Sequence, residues 1–193
     1  LLLIVLFDFE FTVENVVMVG SFSEGMDLGV ACLKLDGSKC DLKRFIGISF
    51  KLKSPLANFL LFKNGRFVCT GTKTKTKAEE AVADLLSLLK AEGLVSNQCT
   101  FECGIKNIVA SVNMAGASVS LEQFTSEFDT LYEPDKFPES VYKMGESKAT
   151  FLVYLTGKMV CLGVTSEEDA KKAVKEFYGQ LVEEKVIEKL WNP

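Results

Sequence analysis

The sequence predicts an α+β fold assembled from two direct repeats, each a set of antiparallel strands with helices on one face. Three observations carry this. A strand–turn–strand pattern occurs twice, FLLFKNGRFVCTG at Phe59–Gly71 and FLVYLTGKMVCLG at Phe151–Gly163. A constant spacing of 92 residues joins Gly65 to Gly157, Cys69 to Cys161, Asn15 to Asn107 and Phe45 to Phe137. Each half also closes with an amphipathic helical pattern. A fixed spacing held through both halves marks an internal repeat, dividing the chain into a first unit, 1–97, and a second, 98–193.

In chain order, residues 9–22 alternate as a strand with Val13, Asn15, Val17 and Val19 on one face, and Ile105–Asn113 is the counterpart. Helical segments follow at Leu28–Leu35 and after Ser120, where Ser120 and Gln123 form a capping pattern. Short strands come next at Gly47–Lys53, Asn58–Phe62 and Arg66–Gly71, repeated at Ser140–Met144, Thr150–Tyr154 and Lys158–Gly163. Asn64-Gly65 and Thr156-Gly157 are their hairpin turns, because glycine there takes positive φ without steric cost. The closing helices begin at Thr76, capped with Glu79 three residues on, and at Ser166 with Asp169. Their apolar stripes are Ala78, Ala81, Val82, Leu85 and Leu89, then Ala170, Ala173, Val174, Phe177 and Leu181. The tail Val182–Leu190 is read as an extension of the last helix, and Gly93–Thr100 as the linker between copies.

Composition excludes several function classes. The 193 residues contain no histidine, which removes imidazole bases, Ser/His and Cys/His nucleophile pairs and histidine metal ligands. No glycine-rich phosphate loop is present either, so neither an enzymatic role nor a cofactor is expected. The net charge of −4 argues against a generally basic coat; residues 1–97 are near balance and the second half holds the acidic excess. The six cysteines admit a disulfide set, but the recurrence of Cys69 and Cys161 mid-strand favours reduced, buried thiols. Cys99 and Cys103 form a lone pair without the second pair a metal site needs. The opening LLLIVLF lacks a basic flank and is too short to span a bilayer, so it is read as a strand or an ordered tail, and no membrane partner is expected.

Helices on one face leave the other face for function. By parity it carries Asn15, Val17, Leu60, Phe62, Arg66, Val68 and Thr70 in the first copy. In the second it carries Asn107, Val109, Leu152, Tyr154, Lys158, Val160 and Leu162. An apolar face with one amide and one cation per repeat is unlike a solvated sheet. The loops before it repeat too, with KRF at Lys43–Phe45 and YEPDKFP at Tyr132–Pro138.

With NIVASV at Asn107–Val112, YEPDKFP at Tyr132–Pro138 and GKMVC at Gly157–Cys161, the chain resembles the TATA-box-binding protein family from about Val13 to Leu181. NVV at Asn15–Val17 and GRFVCTG at Gly65–Gly71 fall in register in the more divergent first repeat. The resemblance implies a saddle-shaped curved antiparallel sheet, helices on its convex face, that binds and bends A/T-rich promoter DNA through the minor groove and recruits initiation factors. It implies wedge pairs Phe45 with Phe62 and Phe137 with Tyr154, and base-reading amides Asn15 and Asn107. It further implies an apolar floor of Val17, Val109, Leu60, Leu152, Val68 and Val160, flanked by Thr70 and Leu162. Phosphate contacts fall to Lys43, Arg44, Lys51, Arg66, Lys143 and Lys158, and contact with a transcription factor B-like partner to Glu133 and Asp135. The expected location is the nucleus or the archaeal cytoplasm. Tyr154 and Leu162 depart from the family's phenylalanine and threonine, and Lys51 and Lys143 replace arginines. A second reading is a divergent paralogue acting mainly as a protein-interaction module with weak DNA binding.

Overall fold

The computed structural model describes residues 9–114, 116–130, 132–145 and 147–189; the LLLIVLF tail lies outside them. The chain forms two compact units. One comprises Asn15–Lys106, the other Leu1–Glu14 with Asn107–Pro193.

In chain order the first elements are β1 (Glu10–Phe22), α1 (Leu28–Lys34), β2 (Lys39–Cys40) and β3 (Gly47–Lys53). They are followed by β4 (Leu56–Phe62), β5 (Arg66–Thr72), α2 (Lys75–Ala91) and β6 (Phe101–Asn113). In the Asn15–Lys106 unit the strand order is β2-β3-β4-β5-β1-β6, to which β1 and β6 contribute Asn15–Phe22 and Phe101–Lys106. The β4–β5 hairpin turns through Gly65 at φ 83°, whose N–H reaches the Phe62 carbonyl at 3.0 Å.

Period-two alternation sends Phe59, Leu61, Phe67 and Cys69 to one face, fully buried beneath Ala78, Ala81, Val82, Leu85 and Leu89 of α2. Each such leucine or phenylalanine contributes about 1.5–3 kcal/mol by leaving water. The other face of these strands is half-buried, carrying Val17, Leu60, Phe62, Val68 and Thr70.

The second unit adds β7 (Ala117–Val119), α3 (Leu121–Glu127), β8 (Glu139–Lys143), β9 (Thr150–Tyr154), β10 (Lys158–Val164), α4 (Glu167–Glu183) and β11 (Ile187–Lys189). Its strand order is β1-β6-β10-β9-β8, with β11 paired to β7 apart. Phe151, Val153, Met159 and Cys161 are buried under Ala170, Ala173, Val174, Phe177 and Leu181 of α4.

Three expectations are corrected. The cap of α2 is Thr74, not Thr76: its backbone is extended and its hydroxyl accepts the Lys77 N–H at 3.2 Å. Thr76 lies inside the first turn, and Glu79 pairs with Lys75 at 3.6 Å instead of closing a capping box. The tail does not extend α4: Glu183 ends it, Lys185 turns at φ 56°, and Ile187–Lys189 pairs with β7.

The third correction is to the reading of the cysteines as reduced: Cys32 and Cys40 are disulfide-bonded, with Cα atoms 6.2 Å apart. The bond ties α1 to β2. In the second repeat the position equivalent to Cys32 is Phe124, buried against Phe128, Phe177 and Tyr142. The first repeat thus holds its short helix by a covalent link where the second uses an aromatic cluster. Cys69, Cys99 and Cys161 are buried free thiols, as expected.

Candidate nucleic-acid interface

The two asparagines are set by a bulge in the strand beside each. In the pairing of β1 with β5 the register shifts between Val16 and Met18, so Thr70 and Gly71 together oppose Val17. The same shift occurs in β10 between Cys161 and Val164, so Leu162 and Gly163 oppose Val109. Such a bulge places its glycine at positive φ, here 91° for Gly71 and 95° for Gly163. It also frees an N–H from the ladder. Asn15 Oδ1 accepts the Gly71 N–H at 2.7 Å, and Asn107 Oδ1 accepts the Gly163 N–H at 2.7 Å.

This fixes the chemistry each amide offers. With Oδ1 committed to a backbone donor, the outward-facing atom is the NH₂ group, a donor only. The half-buried amides stand among valines, where an unpaired polar group would be costly.

The aliphatic residues align as one strip in each unit. Leu60 pairs with Val68 across β4 and β5, and Leu152 with Val160 across β9 and β10. Thr70 faces Asn58 in the first unit; Leu162 faces Thr150 in the second. Val17 and Val109 are half-buried on the same side as the asparagines.

At the outer end of each strip stands an aromatic pair positioned by one kind of turn. Phe45 N–H donates to the Asp41 carbonyl at 2.8 Å, and Phe137 N–H to the Glu133 carbonyl at 2.9 Å. An i,i+3 ion pair spans each turn: Arg44 with Asp41 at 3.7 Å, Lys136 with Glu133 at 2.6 Å. Both pairs are exposed, so they shape the turns without contributing much stability. Phe45 is 43% and Phe137 58% exposed, large rings left unburied.

Phe45 contacts Phe62 with ring centroids 6.2 Å apart. Tyr154 lies opposite Glu139 in the β8–β9 ladder. Burial first, and then the Glu139 charge, hold its phenol above the ordinary value, so it is neutral and a donor at physiological pH.

Lys43, Lys51, Arg66, Lys143 and Lys158 are exposed and, among the described residues, make no ion pair. Arg44 is committed in part to Asp41. Asp135 is exposed on the same loop as Glu133. No group of three or more potential metal ligands occurs among the described residues.

A family model described as "Transcription factor TFIID (or TATA-binding protein, TBP)" matches residues 10–91 and again 102–183. The chain belongs to the TATA-binding protein family.

The TATA-box-binding protein of Methanobrevibacter smithii is 34% identical over 178 residues, covering 91% of this chain and 97% of that one. That of Pyrobaculum aerophilum is 34% identical over 174 residues, covering 90% and 86%. The solved structure of Methanococcus jannaschii TBP superposes with a TM-score of 0.81 at 31% identity, covering 90% of this chain and 99% of the other. The TATA-binding protein fold is therefore shared along nearly the whole chain.

Sequence reasoning missed four contributors to this face. Gly71 and Gly163 fix the asparagines, and their 92-residue spacing was the available signal. Asn58 adds a second amide beside Thr70, its Nδ2 seated against the bare Cα of Gly71. Glu139 stands where the first repeat has Gly47, paired with Tyr154 as Gly47 is with Phe62.

Proposed function

We propose that this chain is a transcription initiation factor that binds A/T-rich promoter DNA through the minor groove, bends it and recruits further initiation factors. The observation that carries the reading is the pair of committed amides. Asn15 and Asn107 each surrender Oδ1 to a bulge N–H and turn a donor outward. The minor-groove edge of an A·T pair offers acceptors only, adenine N3 and thymine O2, whereas G·C adds a protruding donor. An outward donor set in an aliphatic strip suits the first edge and disfavours the second.

Roles follow from position. Val17, Leu60, Val68 and Thr70, with Val109, Leu152, Val160 and Leu162, press on the groove floor. Phe45 with Phe62 and Phe137 with Tyr154 insert at base steps. TATA-binding proteins are themselves the type case of this unstacking mechanism, in which the bend exposes more DNA to the protein. Lys43, Arg44, Lys51, Arg66, Lys143 and Lys158 meet phosphates, which position the protein without reading sequence. Glu133 and Asp135 offer an acidic loop to a transcription factor B-like partner. The repeats, 1–97 and 98–193, each take one half of the site.

This chain acts by binding and not by catalysis: it has no histidine for imidazole acid–base chemistry, and its family is described as a transcription factor. The archaeal relatives favour a cytoplasmic over a nuclear setting.

The test is a salt-dependent titration of an A/T-rich duplex against a G/C-rich one. Tight A/T binding with a steep salt dependence is expected. Arg66→Ala and Lys143→Ala should each flatten the slope of log K against log salt by about one unit, with sequence preference unchanged. Equal affinity for both duplexes would remove the reading.

A further inference from the structure

The two aromatic pairs differ in their rings, Phe62 against Tyr154, and in the residue paired with that ring, Gly47 against Glu139. In the first repeat Gly47 pairs across the ladder with Phe62. A Cβ on Gly47 would lie 2.9 Å from Phe45 Cε1, 3.3 Å from Phe62 Cδ1 and 2.8 Å from the Leu61 carbonyl oxygen. The bare Cα is therefore what lets the Phe45 and Phe62 rings approach to 6.2 Å.

The repeat-equivalent residue is Glu139, which pairs with Tyr154 in the same register. Residues paired across a ladder share a face, so its side chain stands on the face of Tyr154, where the first repeat has only the bare Cα of Gly47. Phe137 is more exposed than Phe45, and among the described residues neither Phe137 nor Tyr154 makes an aromatic ring contact. The carboxylate also adds negative charge beside Tyr154, where it opposes ionisation of the phenol.

We propose that Glu139 is a spacer that holds the second wedge open and negatively charged, leaving the first repeat to make the deeper insertion and set the protein's polarity on its DNA. This rests on the minor-groove reading above. A negative group beside an inserting ring meets the phosphates at close range, and a ring without a packed partner enters a base step alone. The first wedge has neither handicap.

Two variants separate bulk from charge: Glu139→Gly removes both, Glu139→Gln only the charge. In the free protein, nuclear Overhauser contacts between selectively labelled Phe137 and Tyr154 rings should appear in Glu139→Gly and stay absent in Glu139→Gln. On an asymmetric A/T-rich duplex, energy transfer across each half reports each kink. Glu139→Gly should deepen the second-repeat kink alone and tighten binding several-fold; Glu139→Gln should tighten binding without deepening the kink. An unchanged ring contact in Glu139→Gly, or equal deepening of both kinks, overturns the proposal, as does a kink deepened as much by Gln as by Gly. Should the parent fail to bend the duplex at all, the minor-groove reading falls, and the ring contact in the free protein still decides whether Glu139 is a spacer.

Discussion

Asn15 Oδ1 accepts the backbone N–H of Gly71 at 2.7 Å, and the same bond recurs between Asn107 and Gly163. The bond joins fold to function: the bulge that bends the strand supplies the N–H, and satisfying it turns each amide's donor outward. An aspartate keeps the bond to glycine but replaces the donor with an acceptor and a negative charge. Asn15→Asp and Asn107→Asp should each weaken A/T-duplex binding by about 10- to 100-fold, roughly 1–3 kcal/mol, with unfolding midpoints little changed. Unchanged affinity in Asn107→Asp would take Asn107 out of the base-reading set.

The glycines of the two bulges should not be equally replaceable. Both lie at positive φ, where an L side chain costs roughly 1–3 kcal/mol. A Cβ on Gly71 meets the Asn58 Nδ2 at 2.9 Å, a side-chain tip able to move. On Gly163 it meets the Lys148 backbone carbonyl at 2.7 Å, which is far less free to move. Urea denaturation should show Gly163→Ala losing more stability than Gly71→Ala. Gly179, inside α4 with nothing within 4 Å of its added Cβ, should instead gain about 1 kcal/mol as Gly179→Ala. The reverse ranking would contradict the bulge geometry.

Much of the fold was legible because two signals agreed at each element. Thr150–Tyr154 and Gly47–Lys53 matched the strands to the residue, since alternation agreed with a turn signal after each, Thr156-Gly157 and Ser54-Pro55. The α2 cap was misjudged because Lys73–Lys77 alternates with threonines, each a plausible cap. The repeat held the answer: the cap of α4 is Ser166, and 92 residues earlier stands Thr74. Strand β11 was hidden because its partner β7 lies almost seventy residues away and no local pattern encodes that pairing. The Cys32–Cys40 bond was hidden because the recurring pair Cys69 and Cys161 dominated the reading of all six. At the candidate interface the residues facing away from the helices followed from parity. The roles of Gly47 and Glu139 needed the register across the ladder.

Tyr154 departs from its family's ring by one hydroxyl, and among the described residues that hydroxyl has no hydrogen-bond partner. Driven into a stacked base step, an unpartnered hydroxyl costs roughly 1–3 kcal/mol. Tyr154→Phe should therefore bind an A/T duplex more tightly, by about 5-fold at the lower end of that cost and more than 100-fold at the upper. A loss of affinity would mean that the hydroxyl makes a bond to sugar or phosphate, and the cost argument would be withdrawn.

Burial pushes the thiols of Cys69 and Cys161 up to about 11 from an ordinary 9.0. A group whose pKa is raised by folding stabilises fully below its unfolded value and loses that contribution as pH rises through the folded one. Stability should fall between pH 9 and 11, and the double variant Cys69→Ala, Cys161→Ala should show a shallower fall across that window. Neither native thiol should react with iodoacetamide at pH 8 in the folded protein. Rapid alkylation of either under native conditions would show that the sheet does not shield it.

Aromatic pairs that act as wedges in a minor groove must bend the duplex they enter. Energy transfer between fluorophores at the two ends of an A/T-rich duplex measures that bend most directly, with parent protein and with the Phe45→Ala, Phe137→Ala double variant. The parent should give a large rise in transfer and the double variant almost none at saturating protein. Bending by the double variant equal to that of the parent would contradict the wedge role.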